Sequence, residues 1–462
     1  MRMTWNPTAG AAGWPRLPIT REILLALGLG CVLALAILLF PVNLALTAGL
    51  AAWIATLALI DVRVFVLALI VVRSSLDIAA ELSLVQTGLL GDLNVAAVLS
   101  GMLIALGLVH FAANRINISK TPLFWPFSAF IAAYTVGVLY APDPGVALHS
   151  WLRIFSVFIL YLLVVDMLRD QKRAGTLVQA IMLSAVLPVL VGLFQIVTGS
   201  GNQFVEGFNR ITATFVHPNP YAIYLVTLLP IAAVVFLHTR SKWGKVGLGL
   251  LIAGLLINLL LTFTRIAWLG LIVALVIMVA VNRRWGLVAA IAALALLIWI
   301  AVPGVQERIA QASGEHSGLS WRLQQWEDAL SLQSPLRSLT GAGPGAVRAD
   351  LGNSTHNDYL RLWIEGGILV SVAFLWLYGS LLRTAIAAYR GLYSGYERSF
   401  VLAFIGVFAA WAVMATTDNL IAHPAVEWYF WALAALTVAL GTQSKAAERQ
   451  SAKGLLAKGF GR

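Results

Sequence analysis

Three short stretches of the chain set polar side chains against long apolar runs. Residues 354–367, STHNDYLRLWIEGG, place His356 among Ser354, Thr355, Asn357 and Asp358 at the start of one such run. A helix N-terminus favours neutral imidazole, and a neutral histidine at a membrane surface can take a proton from a hydroxyl group. Its neighbours are the residue types that cap exposed backbone N–H groups, so the stretch reads equally as a base or as a cap.

Residues 208–222, FNRITATFVHPNPYA, carry Arg210, His217 and Asn219 just ahead of another apolar run. Each proline bars its predecessor from the α region, which holds His217 and Asn219 at the mouth of a helix. An ordinary loop with proline in the first helical turn fits the same letters. In residues 261–270, LTFTRIAWLG, Arg265 divides apolar sequence that would otherwise run from 246 to 281, with no acid within ten residues of it. An arginine at the edge of hydrocarbon costs a few kcal/mol unless it is paired or hydrated. A phosphate ligand, a lipid headgroup or a distant aspartate would each satisfy it.

The elements that must position these side chains are membrane helices. Of 462 residues, 60% are hydrophobic and 11% charged, against roughly 25% charged in a soluble domain. Hydropathy places spans at 22–40, 42–60, 63–80, 94–113, 121–140, 148–168, 174–198, 218–238, 246–264, 265–282, 285–302, 360–382, 398–417 and 424–441. The expected fold is an all-α polytopic bundle of about 12–14 spans. The span at 63–80 is the weakest, because it contains Arg73 and Asp77. The run after Arg21 lacks a small-residue cleavage site and reads as a retained helix. A single cysteine, Cys31, excludes an intrachain disulfide.

The net charge of +11 lies mostly in short connections between apolar runs, which argues for membrane orientation and against a nucleic-acid partner. With a cytoplasmic N-terminus, all seven lysines fall on the cytoplasmic side. The opposite side carries only arginine: Arg73, Arg153, Arg210, Arg265, Arg308, Arg322, Arg337, Arg348 and Arg361. Guanidinium grips phosphate with a rigid fork where lysine is a point charge, so the outward arginines as a group point to an anionic ligand. This gives membrane helices over 1–302, one long outward loop at 303–359, further membrane helices over 360–441 and a basic cytoplasmic tail at 442–462.

Within the loop, LSWRLQQWEDALSL spaces Leu319, Leu323, Trp326 and Leu330 as a helix along the membrane interface, with Ser320 as its cap. GAGPGAV at 341–347 reads as a tight glycine-rich turn and matches no nucleotide fingerprint. Of the other histidines, His110, His149 and His238 sit at helix ends without polar company, and His316 and His423 have no recognisable partner set. No cluster suited to a metal ion stands in the outward loops.

Taken in order, these stretches resemble the O-antigen ligase and polymerase superfamily of membrane glycosyltransferases. The matching residues are Arg210 with His217, Pro218 and Asn219; Thr264, Arg265 and Trp268; Ser320, Trp321 and Arg322; Gly341, Gly343 and Gly345; and His356, Asn357, Tyr359, Leu360, Glu365 and Gly367. The resemblance covers roughly 200–370. It implies a metal- and cofactor-independent, inverting transfer of a glycan from undecaprenyl pyrophosphate to a sugar hydroxyl of lipid A–core, at the periplasmic face of the bacterial inner membrane. In that scheme His356 is the base, Arg210, Arg265 and Arg322 hold pyrophosphate, and His217, Asn219, Asn357 and Tyr359 support them. A polymerase or a protein oligosaccharyltransferase of the same superfamily would share the site. A lipid-linked glycan flippase is the reading from another class, although no internal repeat supports it.

The topology has a direct check. Reporter fusions at Lys245 and Arg284 should read cytoplasmic, and a fusion at Ser338 should read non-cytoplasmic. A cytoplasmic signal at Ser338 would put the candidate site on the wrong side of the membrane.

Overall fold

Backbone polar groups inside a bilayer have no water to bond, so an apolar chain of this kind must satisfy them within helices. In the computed structural model, the structure describes residues 61–79, 83–87, 91–170, 172–200, 203–205, 208–283, 296, 299–300, 303–310, 318–393 and 395–459. The expected spans at 22–40 and 42–60, most of 285–302, Cys31 and His316 lie outside the described residues.

The helices are α1 Val62–Arg73, α2 Val95–Ala113, α3 Phe124–Val138, α4 Pro144–Met167, α5 Arg173–Ser184, α6 Val186–Thr198, α7 Pro218–His238, α8 Lys242–Leu261 and α9 Arg265–Val281. Four short helices follow: α10 Pro303–Ala310, α11 Gly318–Ser331, α12 Pro335–Thr340 and α13 Ala346–Leu351. Three long ones close the bundle: α14 Asp358–Gly391, α15 Tyr396–Met414 and α16 Pro424–Gly459. Eight helical segments of the described residues are long and apolar enough to cross a membrane, and α3 and α9 are shorter apolar helices. The protein is an all-α, multi-pass membrane bundle.

Several boundaries differ from the sequence reading. The span expected at 63–80 ends at Arg73, whose guanidinium pairs with Asp77 at 3.3 Å. The span expected at 174–198 is two helices meeting at Ala185, because the ring of Pro188 clashes with the carbonyl four residues earlier, at the end of α5. Two small antiparallel hairpins, β1 Ser83–Thr87 with β2 Gly91–Asn94 and β3 Gln203–Val205 with β4 Phe208–Arg210, were not anticipated. The tail expected from 442 continues α16 to Gly459. The loop helix α11 starts at Gly318, which puts Ser320 inside its first turn and not at its cap.

α7 and the first half of α16 are apolar on every side and almost wholly buried, so they form the centre of the bundle. α8 lies outside, with Val246 and Leu250 turned outward. Polar contacts tie the centre to its neighbours. Trp411 Nε1 donates to Thr227 Oγ1 at 2.8 Å, Tyr429 Oη donates to the Ile70 carbonyl at 2.6 Å, and Tyr221 Oη donates to Asn258 Oδ1 at 2.9 Å. In a bundle without a hydrophobic drive between helices, such bonds fix rotation and register.

α14 breaks at Gly367, which has φ +63° and ψ −163°. The break releases helical carbonyls, and the glycine-rich turn supplies donors for them. The amides of Ala342 and Gly343 donate to the carbonyls of Ile364 and Glu365 at 2.8 and 2.9 Å. Only glycine permits this contact, since a Cβ at Gly367 would lie 2.5 Å from the Leu339 carbonyl group and 2.6 Å from the Gly341 amide. Gly367→Ala should therefore cost about 1–3 kcal/mol or more through left-handed strain and backbone clash. Gly379→Ala, where a Cβ meets open space, should be neutral or slightly stabilising. Thermal unfolding of the two variants in detergent compares them, and equal shifts would remove the steric account.

Candidate active site

The mouth of α14 separates the two roles that the sequence left open. Asn357 is the cap: its Oδ1 accepts the Leu360 amide at 3.0 Å. His356 precedes it in the left-handed region, φ +48°, a conformation that few non-glycine residues adopt. Its Nδ1 stands 3.8 Å from Asp418 Oδ1, too long for a hydrogen bond but close for an ion pair. The His356 Nδ1 and Asp418 Oδ2 atoms are buried without hydrogen-bond partners. On its other side the imidazole meets the Trp321 ring of α11, centroid to centroid 5.8 Å. Trp326 Nε1 donates to the Thr355 carbonyl at 2.7 Å, so α11 braces the segment that carries the histidine.

Asp358 locks the aspartate in place. Its amide donates to the Ala415 carbonyl at 2.9 Å and its Oδ2 accepts the Ile421 amide at 3.1 Å. The 415–421 segment is thereby pinned against the start of α14. Burial alone would push the Asp418 carboxyl up, but His356, His423 and the Asn419 amide hold it down at about 2. Sequence reading missed Asp418. Its signal was an acid and an amide, TTDN, in the short connection between two apolar runs.

Arg210 is buried, 3% exposed, and its donors are directed inward. Nε donates to the Thr262 carbonyl at 2.6 Å, and Nη2 donates to Asn219 Oδ1 at 2.7 Å and to Thr264 Oγ1 at 2.8 Å. Arg308 Nε donates to the Phe263 carbonyl at 3.1 Å, and Arg265 Nη1 donates to the Arg308 carbonyl at 3.1 Å. The break between α8 and α9 thus rests on Arg210 and Arg308, and half-buried Arg265 stands at its edge. Arg308 was read only as one of the outward arginines.

His217 caps α7, its Nδ1 accepting the Asn219 amide at 3.2 Å. Burial first and the Arg210 charge second push its pKa down to about 4, while Asp418 opposes them. His423 and His356 lie within the same electrostatic range. The 208–222 stretch thus joins the other two, through Arg210 to Thr262 and Thr264 and through His217 to the electrostatic range of His356. Arg322 follows Trp321 on α11 and is partly buried. Tyr359 is a tie between helices, its Oη donating to the Ala412 carbonyl at 2.9 Å.

Two histidines have company that the sequence did not reveal. Burial lowers the pKa of His423, with Asp418 opposing. His110 Nε2 lies 3.1 Å from Asp166 Oδ2, and Asn114 Nδ2 lies 3.2 Å from its Nδ1. Among the described residues, no group of three or more His, Cys, Asp and Glu side chains is placed to hold a metal ion.

Residues 248–375 match the family model described as O-antigen ligase. This segment belongs to the O-antigen ligase superfamily. The match runs from α8 to the middle of α14 and includes Arg265, Arg322 and His356. Arg210, His217 and Asp418 lie outside the matched O-antigen ligase segment, and Arg210 and Asp418 contact it at Thr264 and His356. No curated protein matches the chain.

The depressed pKa of His217 has a sign that can be tested. Folded protein keeps the ring neutral down to about pH 4, whereas the unfolded chain binds a proton below 6.5. Its contribution to stability is present above 6.5 and is lost as pH falls from 6.5 to 4. His217→Asn keeps a capping acceptor and cannot titrate. Thermal unfolding across this range should show a shallower acid-side loss in the variant, by about one proton. Parallel profiles would mean that His217 is charged in the fold.

Proposed function

We propose that this member of the superfamily is an O-antigen ligase, transferring a glycan from undecaprenyl pyrophosphate to a sugar hydroxyl of lipid A–core at the periplasmic face of the inner membrane. The observation that carries the reading is the pairing of His356 with buried Asp418 beside a helix break rimmed by arginines. The acceptor oxygen attacks the anomeric carbon as the bond to pyrophosphate breaks. Its proton passes to His356, and the inverted glycosidic bond forms. Asp418 stays ionised above pH about 2 and stabilises the imidazolium that results.

Charge grows on the departing pyrophosphate, and oriented guanidinium groups meet it in a site that excludes water. Arg265 and Arg322 take that role. Arg210 acts from behind, holding the α8–α9 break that presents Arg265. Because guanidinium neutralises the leaving group, the reaction requires no metal. A donor and an acceptor that are both lipids call for a lateral opening to the bilayer.

The test separates base from cap. His356→Ala should lower transfer by about 10² to 10⁴-fold with little change in thermal stability, because the capping bond belongs to Asn357. Asn357→Ala should cost about 1 kcal/mol of stability and much less activity. Asp418→Asn should reduce transfer while donor binding persists. Purified protein with lipid-linked glycan and lipid A–core reads all three. An active His356→Ala protein would refute the assignment, and glycan added only to a second carrier-linked unit would make the enzyme a polymerase.

A further inference from the structure

The first two turns of α14 carry three charges on one buried face. Asp358, Arg361 and Glu365 stand three and four residues apart, which stacks them along one side of the helix. Asp358 and Glu365 are both buried. The sequence places Arg361 among the outward arginines, but its side chain is only 14% exposed and lies between the two carboxylates. Nη2 is 3.6 Å from Asp358 Oδ1 and Nε is 4.0 Å from Glu365 Oε2, contacts of charge and not hydrogen bonds. Asp358 Oδ1 and Arg361 Nε are buried without hydrogen-bond partners.

Each carboxylate meets a different stretch of irregular backbone. Asp358 Oδ2 accepts the Ile421 amide, in the segment that bears Asp418. The amides of Gly345 and Val347 approach the Glu365 carboxyl, which seats Glu365 against the glycine-rich turn. That turn has main-chain support as well, since Ala342 and Gly343 donate to the carbonyls of Ile364 and Glu365. Arg361 therefore links a braced point to the segment that carries the aspartate. Asp418 lies within the electrostatic range of Asp358 and repels it, and Arg361 is the cation that offsets the repulsion. Glu427 of α16 is a weaker partner for Arg361, because Arg153 meets it first. A buried carboxylate without a counter-charge is relieved by taking up a proton or by moving toward water. Either change weakens its charge-assisted bond to Ile421, and Asp418 then loses its position 3.8 Å from His356 Nδ1.

We propose that Arg361 is a positioning residue for the candidate base: anchored by Glu365 on the glycine-rich turn, it fixes the Asp358 carboxylate, which in turn fixes Asp418 at His356. This rests on the transferase reading for its activity measurement, and a second measurement is independent of activity.

Full-length protein in nanodiscs is compared as wild type, Arg361→Gln, Arg361→Lys, Asp418→Asn and the Arg361→Gln/Asp418→Asn double variant, by hydrogen–deuterium exchange and by glycan transfer. Arg361→Gln should raise exchange over 415–421 by about ten-fold, the scale of a lost charged hydrogen bond. The amides of Ala342 and Gly343, bonded to main-chain carbonyls, should keep wild-type exchange. Transfer should fall by about 10²-fold, the scale of an ångström's misplacement, in kcat and not in donor KM. Arg361→Lys keeps the charge and should recover most of both losses. If Arg361 acts through Asp418, the double variant transfers no more slowly than Asp418→Asn alone. Losses that multiply, unchanged exchange over 415–421 in folded Arg361→Gln, or equal loosening of 341–343 and 415–421 would each overturn the proposal. Should Arg361→Gln fail to fold, Arg361→Gln combined with Glu365→Gln removes one charge of each sign and carries the same expectations. If wild-type protein transfers nothing while Arg361→Gln still raises exchange over 415–421, the Arg361 tie stands and the transferase reading falls.

Discussion

The carboxyl end of α8 must end at the membrane boundary without leaving its last carbonyls bare, and the candidate site is built around that requirement. The final four carbonyls of a helix have no partner within it. Here the chain just past the helix meets Asn258, Leu259 and Leu260, and remote groups meet the rest of the turn: Trp268 Nε1 reaches Leu259, the Ile211 amide reaches Leu261, Arg210 reaches Thr262 and Arg308 reaches Phe263. One task of backbone satisfaction thus draws the β4 hairpin, the start of α9 and the helix α10 to a single point. An arginine suits this work because its fork can serve a carbonyl and two side-chain oxygens at once, as Arg210 does.

A parallel solution operates at the broken helix α14. Gly367 frees carbonyls that the 341–345 turn then satisfies, and the break lets short interfacial helices dock on the first turns of α14. The buried residues of that docking are Ala329, Val347 and Ile364, with Trp363 and Leu360 against them. The exposed leucines of α11, Leu323 and Leu330, face away from this patch, as suits a helix lying in the interface. Non-helical backbone at membrane depth is tolerated only where protein buries it or where it lines a cavity. At the α14 break the glycine-rich turn covers the freed carbonyls, and at the α8–α9 break Arg210 and Arg308 do so.

The electrostatics of the region follow from burial. His217 is driven toward the neutral form by burial and by the Arg210 charge, while Asp418 is kept ionised by two histidines in spite of its burial. A histidine at the start of α7 and an aspartate in the 415–421 connection are thereby held neutral and ionised. That separation lets one face of a membrane protein hold a proton acceptor and anion-binding groups together.

Much was legible from the chain itself. Apolar runs of bilayer length determine helices whatever the tertiary context, because no other open structure satisfies the backbone in lipid. Arg265 between two such runs stands out because an arginine there needs a partner, and the structure gives it the Arg308 carbonyl. The HPNP and GAGPG letters mark breaks because proline and glycine restrict or free the backbone locally. Which polar side chains meet was decided only by the tertiary structure. Asp418 is remote in sequence from His356 and reaches it because Asp358 pins the connecting segment. Arg210 resembles a ligand-binding arginine in sequence, and its burial against Thr262, Thr264 and Asn219 makes it a brace. Arg73 and Arg153, unremarkable alone, share one cavity because their helices pack side by side around α16. Local letters determine which groups are present and how the backbone bends beneath them; distances between remote segments depend on how helices pack, and no local pattern encodes those.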